Sequence, residues 1–282
     1  YGLDGNLETS TDFNGNVTKY SYSEFGQLLE KIEAFGTPIA RRTVYEWAQN
    51  SNRLLKVTVI GLVRTEYVYG AKNRLISTTE TNLSSNGVSG GIHTTTYAYT
   101  EHPNGMLASI AVDGPLVGTG DAVTYSFDNQ GNLLSQQNSL GHLVQYQSYN
   151  GMGQPGRVVG VNGSTTDYTY DARGRVTKAR QYIGTTSADT DYAYNAEGLL
   201  YSVTTPDGVA TTYTYDAARR LTSEKRNAAG VLIAGATYEE KRYGYDLASN
   251  VTSVQTLADG VSKSIAYIDY DEQSRVIAKR GN

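Results

Sequence analysis

The chain has no cysteine, one tryptophan, four phenylalanines and five prolines in 282 residues. Without cysteine there can be no disulfide scaffold, no thiolate metal site and no thiol nucleophile. No run of eighteen apolar residues occurs, so no helix is expected to span a membrane. Basic residues number 24 against 28 acidic ones, and a net charge of −4 gives no electrostatic basis for binding nucleic acid. Hydrophobic residues are sparse at 39%, yet 10% aromatic and 18% charged residues argue for a folded chain rather than a disordered one. The chain begins at Tyr1 with no charged and apolar leader after it, as expected of a fragment or processed product. In place of phenylalanine there is tyrosine, 24 of them.

The tyrosines follow a repeat. Residues 168–176, Tyr-Thr-Tyr-Asp-Ala-Arg-Gly-Arg-Val, give the template: two tyrosines one residue apart, an aspartate, a glycine three positions on and an apolar residue two beyond it. Copies in register start at Tyr20, Tyr67, Tyr125, Tyr192, Tyr213 and Tyr243, and a first copy keeps Tyr1, Gly5 and Leu7. Looser copies run through Trp47, Tyr99, Tyr149 and Tyr270. The second aromatic slot is therefore filled by Tyr1, Tyr22, Trp47, Tyr69, Tyr99, Phe127, Tyr149, Tyr170, Tyr194, Tyr215, Tyr245 and Tyr270, at spacings of 21 to 30 residues. Only Tyr182, Tyr201 and Tyr238 fall away from the aromatic slots, so the tyrosine excess and the repeat are one fact. The expected organisation is a single array of about twelve repeats over 1–282.

Each repeat reads as a β-hairpin. Tyr-x-Tyr puts two rings on one face of a strand, because side chains alternate with period 2. The strand then meets a turn former, such as Asp171, Asp216 or Asp246, whose carboxylate can accept from the backbone two residues on. Gly26, Gly131, Gly174 and Gly198 supply the positive φ that closes a short hairpin loop with a bulge. A Val-, Leu- and Thr-rich strand follows, and outer turns such as Asn14-Gly15 and Asn162-Gly163 lead to the next tyrosine pair. The fold expected is all-β: roughly two dozen strands in one long antiparallel meander, which strand twist must curl into a spiral, shell or solenoid. Residues 78–96, 113–121 and 227–237 read as inserted loops.

The Tyr-Asp-Ala-Arg-Gly-Arg-Val run at 170–176, with Tyr215-Asp216, Tyr245-Asp246 and Tyr270-Asp271, closely resembles the YD repeat of bacterial Rhs proteins, TcC toxin components, wall-associated proteins and teneurins. The resemblance covers the whole chain. It implies a β-sheet strip that spirals into a hollow shell, which in the bacterial toxins encloses a toxic domain and in teneurins belongs to an extracellular adhesion apparatus. It thus implies a non-enzymatic structural module of a secreted or cell-surface protein, with no cofactor. The implied partners are a toxin cargo or the remaining shell. Twelve repeats are fewer than a full shell of the family uses, so a stretch of shell wall or a shorter open spiral is expected.

The catalytic alternatives are thin. His93, His102 and His142 lie apart without metal-ligand spacing. The turn aspartates recur once per repeat, which turn formation explains, and Asp189-x-Asp191 alone is a weak calcium signal. Asn16, Asn82, Asn162 and Asn250 stand in glycosylation sequons that the repeat itself can generate. The tyrosines remain ambiguous. Exposed rings could stack on a cell-surface glycan, giving an adhesion or carbohydrate-binding module as the alternative function. Buried rings would form a ladder across neighbouring hairpins. Phe127 and Trp47 stand in the second slot, so a hydroxyl is not essential there, which favours packing. Strand edges left open at the two ends are expected to invite edge-to-edge self-association.

Overall fold

A computed structural model describes residues 1–2, 5–227 and 235–281. Its described residues form twenty-three β-strands and a single 3₁₀ turn, Ala71–Asn73. The third inserted loop of the sequence reading, 227–237, lies largely outside the described residues.

The chain divides into two compact units, Tyr1–Val144 and Gln145–Asn282. In the first, the strands are β1 (Thr9–Thr11), β2 (Val17–Tyr22), β3 (Leu28–Glu33), β4 (Arg41–Trp47), β5 (Leu54–Val59), β6 (Val63–Tyr69), β7 (Leu75–Asn82), β8 (Ile92–Glu101), β9 (Leu107–Asp113), β10 (Val123–Phe127) and β11 (Leu133–Asn138). Each pairs antiparallel with the next. The unit boundary falls inside β12 (Leu143–Tyr149). The second unit continues with β13 (Pro155–Val159), β14 (Thr165–Tyr170), β15 (Val176–Ile183), β16 (Thr186–Tyr194), β17 (Leu200–Thr204), β18 (Ala210–Tyr215), β19 (Leu221–Asn227), β20 (Tyr238–Tyr245), β21 (Val251–Ala258), β22 (Val261–Tyr270) and β23 (Val276–Gly281), again paired in sequence order. Each unit is thus a chain of hairpins, the all-β meander that the repeat implies.

The sheet has almost no conventional core. Among the described residues only Leu257 and Ala258 are buried hydrophobics. Apart from the exposed Tyr1, the second-slot tyrosines are half-buried, lying against the sheet rather than under a second layer. Stability therefore has to come from backbone ladders and from cross-strand and cross-hairpin side-chain pairs, each worth a fraction of a kcal/mol to about 1 kcal/mol.

One device recurs at the hairpin ends. Tyr170 pairs with Val176 while Thr169 pairs with Lys178, so Thr177 has no partner and the register slips by one. The same slip precedes Tyr22, Trp47, Tyr69, Phe127, Tyr194, Tyr215, Tyr245 and Tyr270. The skipped residue is often large and apolar: Leu29, Leu55, Ile76, Leu134, Tyr201 and Ile277 are all exposed. Such a bulge increases the local twist and re-aims the residue that follows.

The insertion at 78–96 is mostly strand rather than loop. Its threonines extend β7 and β8, where Thr79 faces Thr94 with their hydroxyls 3.1 Å apart, and only 83–91 forms a connection. β-Branched residues favour the pleated strand over the loop that polarity alone suggested. Residues 114–122, by contrast, do connect β9 to β10 without regular structure.

Candidate functional site

The recurring site is the inner turn and its contact with the next hairpin. In the turn Asp171–Arg175 the Asp171 N–H donates to Arg175 O at 2.9 Å and the Gly174 N–H to Asp171 O at 3.0 Å. Asp171 Oδ1 accepts from the N–H groups of Arg173 and Arg175, and its Oδ2 accepts from Arg175 Nε at 2.8 Å. One carboxylate thus ties down both the loop and the side chain four residues on. Arg220 is held in this way by Asp216 and Arg275 by Asp271, while Asn132 and Asn250 take the arginine's part at Asp128 and Asp246. These bonds hold the turn carboxyls below the usual carboxylate range. The Arg175 side chain is the main cause at Asp171, the Asn250 side chain at Asp246, and the Arg220 backbone N–H at Asp216.

The fourth turn position has positive φ throughout. Gly26, Gly131, Gly174 and Gly198 sit there at +75° to +92°, and Arg219, Ser249 and Ser274 adopt the same region without being glycine. Their side chains carry a steric cost of roughly 1–2 kcal/mol each.

The tyrosines bind each hairpin to the one before it. Tyr170 Oη donates to Pro155 O at 2.9 Å, Tyr194 to Val176 O at 2.9 Å, Tyr215 to Leu200 O at 2.9 Å, and Tyr245 to Leu221 O at 2.7 Å. Tyr69, Tyr99 and Tyr270 reach Leu54 O, Leu75 O and Val251 O in the same way. The acceptor is always the carbonyl of the apolar slot that opens the second strand of the preceding hairpin. Trp47 makes the equivalent bond through Nε1 to Leu28 O at 2.8 Å. A second contact comes from the residue just before that slot. Arg53 lies over the Tyr69 ring, Arg74 over Tyr99, Arg175 over Tyr194 at 4.2 Å and Arg220 over Tyr245 at 4.7 Å. Turns also bond to turns: Gln154 Nε2 donates to Gly174 O, and Arg220 Nη1 to Asp246 O.

Two of the aromatic slots differ from the rest. Tyr99 keeps its bond to Leu75 O, but the residue registered opposite Leu107 is Glu101, because two residues are inserted there. Glu101 instead pairs with Lys72 and Arg74. Phe127 holds its slot opposite Leu133 without a hydroxyl, and its own carbonyl accepts from His102 Nε2 at 2.8 Å. Tyr22 and Tyr149 end β2 and β12 at the same position relative to their turns. Sequence reasoning missed the hydroxyl's acceptor, the arginines over the rings and the bulges. The available signals were the Arg-apolar pairs 53–54, 74–75, 175–176 and 220–221, and the apolar doublets Leu28-Leu29, Leu54-Leu55, Leu75-Ile76 and Leu133-Leu134.

The remaining candidates lie elsewhere. Asp189 bonds Arg180 and Lys178, and Asp191 pairs with Lys178, so these carboxylates face cations of the chain itself. They belong to a charge row, Arg157–Asp167–Arg180–Asp189, registered across four strands. Among the described residues no cluster of three or more His, Cys, Asp or Glu side chains could hold a metal ion. His142 accepts from Asn138, and His93 stands opposite Glu80 in β7 and β8. Of the sequon asparagines, Asn16 and Asn250 donate to turn aspartates, Asn82 to the backbone of Asn86 and Val88, and Asn162 sits exposed in an outer turn.

Residues 156–182 and 194–232 match the family model described as RHS Repeat. These residues carry RHS repeats. The chain shares its fold with the solved TcdB2–TccC3–Cdc42 structure at 16% identity and a TM-score of 0.53, over 94% of this chain. The chain spans 17% of the length of that protein. A structure of the Photorhabdus luminescens Tc holotoxin pore, carrying a TccC3 D651A mutation, matches at 16% identity and a TM-score of 0.43, covering 95% of this chain and 19% of its own. No curated protein sequence matches the chain.

Proposed function

We propose that this RHS-repeat chain is a non-enzymatic structural module, a stretch of wall of an Rhs-type shell that encloses or delivers a toxin domain. One observation carries the reading: the reactive-looking groups of the repeat are taken up within the strip. Turn carboxylates hold backbone N–H groups and an Arg or Asn, and tyrosine hydroxyls hold carbonyls of the neighbouring hairpin. A surface built this way presents no activated nucleophile and no acid–base pair. On this reading residues 1–282 act as one array, the partner is a toxin cargo or the rest of the shell, and the parent protein is exported to the cell surface or beyond.

The test is protease protection of the parent protein. A domain that survives digestion only while the repeats are intact, and is cleaved at once after Tyr194→Ala and Tyr245→Ala, supports enclosure. A domain cleaved as fast within the parent as when produced alone overturns it.

A further inference from the structure

We infer that Asn86 is a self-modification site. The backbone nitrogen of Gly87 attacks its side-chain amide, and the residue passes through a cyclic imide to aspartate and isoaspartate. The site does not depend on the shell reading. The reaction needs two atoms of an Asn-Gly pair to be free at once, the asparagine Cγ as electrophile and the glycine nitrogen as nucleophile. It also needs water at both. Glycine favours it because no Cβ crowds the closing ring.

Five Asn-Gly pairs stand in the chain, at 14–15, 86–87, 104–105, 150–151 and 162–163. In four of them the turn takes up one or both reacting groups. The Gly15 N–H donates to Asp12 O at 3.0 Å, the Gly105 N–H to His102 O at 2.8 Å and the Gly163 N–H to Gly160 O at 2.9 Å. Each of these bonds closes its turn, so freeing the nitrogen means opening the turn. Asn104 is held through its side chain as well, accepting from the Met106 N–H and donating to Asn129 O. Asn150 is held through its side chain alone. Its Oδ1 accepts from the N–H groups of Met152 and Gln154 at 2.9 and 3.1 Å, which fixes its Cγ in the turn.

At 86–87 neither group is engaged. Among the described residues nothing accepts from the Gly87 N–H and nothing bonds the Asn86 side chain. Both residues are exposed, within an exposed run over 85–90. The connection 83–91 is held by bonds that pass around the pair. Asn82 Nδ2 donates to Asn86 O at 2.7 Å and to Val88 O at 3.1 Å, and the Gly90 N–H donates to Asn82 O at 2.8 Å. The Asn86 N–H donates to Ser84 Oγ at 3.2 Å. The main chain on each side of the pair is thus placed while the reacting atoms stay open to solvent. No charged side chain occurs from 81 to 92, so no carboxylate of the loop repels an incoming base.

A base from solvent takes the Gly87 N–H proton. The nitrogen bonds to Asn86 Cγ, the Cγ–Nδ2 bond breaks, and Nδ2 leaves as ammonia with a proton from water. Both partners belong to one chain, so ring closure is unimolecular. Water then opens the imide. Opening at Cγ leaves an aspartate; opening at the main-chain carbonyl leaves an isoaspartate, with the chain running through the side-chain carbon. The sum is amide plus water giving carboxylate plus ammonium, with no change of oxidation state. The isoaspartate lengthens the main chain between the two carbonyls that Asn82 Nδ2 now bridges, so the modification loosens the connection from β7 to β8.

The test is peptide mapping by mass spectrometry of the 1–282 chain, incubated at mildly alkaline pH both folded and in concentrated urea. It reads the exchange of NH2 for OH and separates the isoaspartyl peptide. In the folded chain Asn86 should convert about tenfold or more faster than Asn14, Asn104, Asn150 or Asn162, tenfold being the factor that one hydrogen bond held against the reaction supplies. In urea the other four should speed up towards Asn86, whose own rate should change little. Asn86→Gln, whose longer side chain must close a larger ring, should lose conversion at this position and leave the other four unchanged. Conversion of any of the four as fast as Asn86 in the folded chain overturns the inference, and so does a lead of Asn86 that persists undiminished in urea.

Discussion

Deleting one hydroxyl, in Tyr194→Phe, separates the two contributions of the ring. The native side chain donates to Val176 O at 2.9 Å, and the Arg175 guanidinium lies 4.2 Å from its centroid. The phenylalanine variant keeps the ring and the arginine but removes the donor, a loss of about 1 kcal/mol. Truncation to alanine removes everything. A fully buried aromatic costs roughly 3–5 kcal/mol on truncation, so a half-buried one loses about 2 kcal/mol. The cation–π contact adds about 0.5–1 kcal/mol, and with the hydrogen bond Tyr194→Ala totals about 3–4 kcal/mol. Each kcal/mol lowers the melting temperature of a chain this size by about 2–4 °C. Tyr194→Phe should therefore melt about 2–4 °C below the parent and Tyr194→Ala near 10 °C below it, by calorimetry and by urea unfolding at unchanged m-value. Tyr201→Phe is the control, since Tyr201 is the skipped residue of a bulge and 51% exposed. It should stay within about 0.5 kcal/mol of the parent. If Tyr194→Phe loses no more than Tyr201→Phe, the hydroxyl bond contributes nothing and the rings act by packing alone.

Gly174→Ala should destabilise by about 1–2 kcal/mol in urea: φ is +76° and the added Cβ meets Gln154 Oε1 at 3.0 Å and Met152 Sδ at 3.1 Å. Ser249→Gly, at φ +69°, should stabilise by up to about 1 kcal/mol; a loss of stability would show that the serine side chain contributes more than its strain costs. The turn carboxyls have folded pKa values below their unfolded ones, chiefly through Arg175 at Asp171, Asn132 at Asp128 and Asn250 at Asp246. Such groups contribute stability that is complete above about pH 4 and lost as pH falls through the folded value. The melting temperature should therefore drop below about pH 4, and the drop should shrink in an Asp128→Asn, Asp171→Asn, Asp246→Asn triple variant. Burial pushes the phenols of Tyr67, Tyr170, Tyr213 and Tyr243 up, so their contribution is present below about pH 10 and lost above it. A melting temperature still flat beyond pH 11 would contradict that assignment.

The hairpin, its turn and its period could be read from residues 168–176 because each rests on a local rule. Alternation sets the strand, a carboxylate starts the loop and a glycine supplies positive φ. The contacts between hairpins could not be read this way, since they join residues 15 to 24 positions apart whose spacing varies with the outer turn. Of the substitutions in the second slot, Phe127 does hold its place without a hydroxyl, but Trp47 is a different case. Trp47 looked like a ring without a phenol, yet its indole N–H takes the hydroxyl's acceptor. The two-residue insertion after Tyr99 hid Glu101, which occupies the register position of an aromatic and exchanges the ring for two ion pairs. Polarity misread residues 78–96 because threonine is both polar and a strand former.

A single-layer sheet raises a problem that a layered protein does not have. With no buried face to penalise a one-residue slip, register is weakly specified by burial. Here the turn sets it. The positive φ at the fourth position, the carboxylate on two N–H groups and the bulge beyond the aromatic fix each strand relative to its partner. At seven hairpins the tyrosine bond then fixes the hairpin relative to the one before. These contacts use side chains at the first and fifth turn positions and the backbone of the third, fourth and fifth, so the third side chain is left free. It is also the position at which the turns differ most: Phe25, Gln130, Met152, Arg173, Glu197, Ala218, Ala248 and Gln273. Variation concentrated at a side chain the turn does not use allows one scaffold to carry different surface chemistry at each turn.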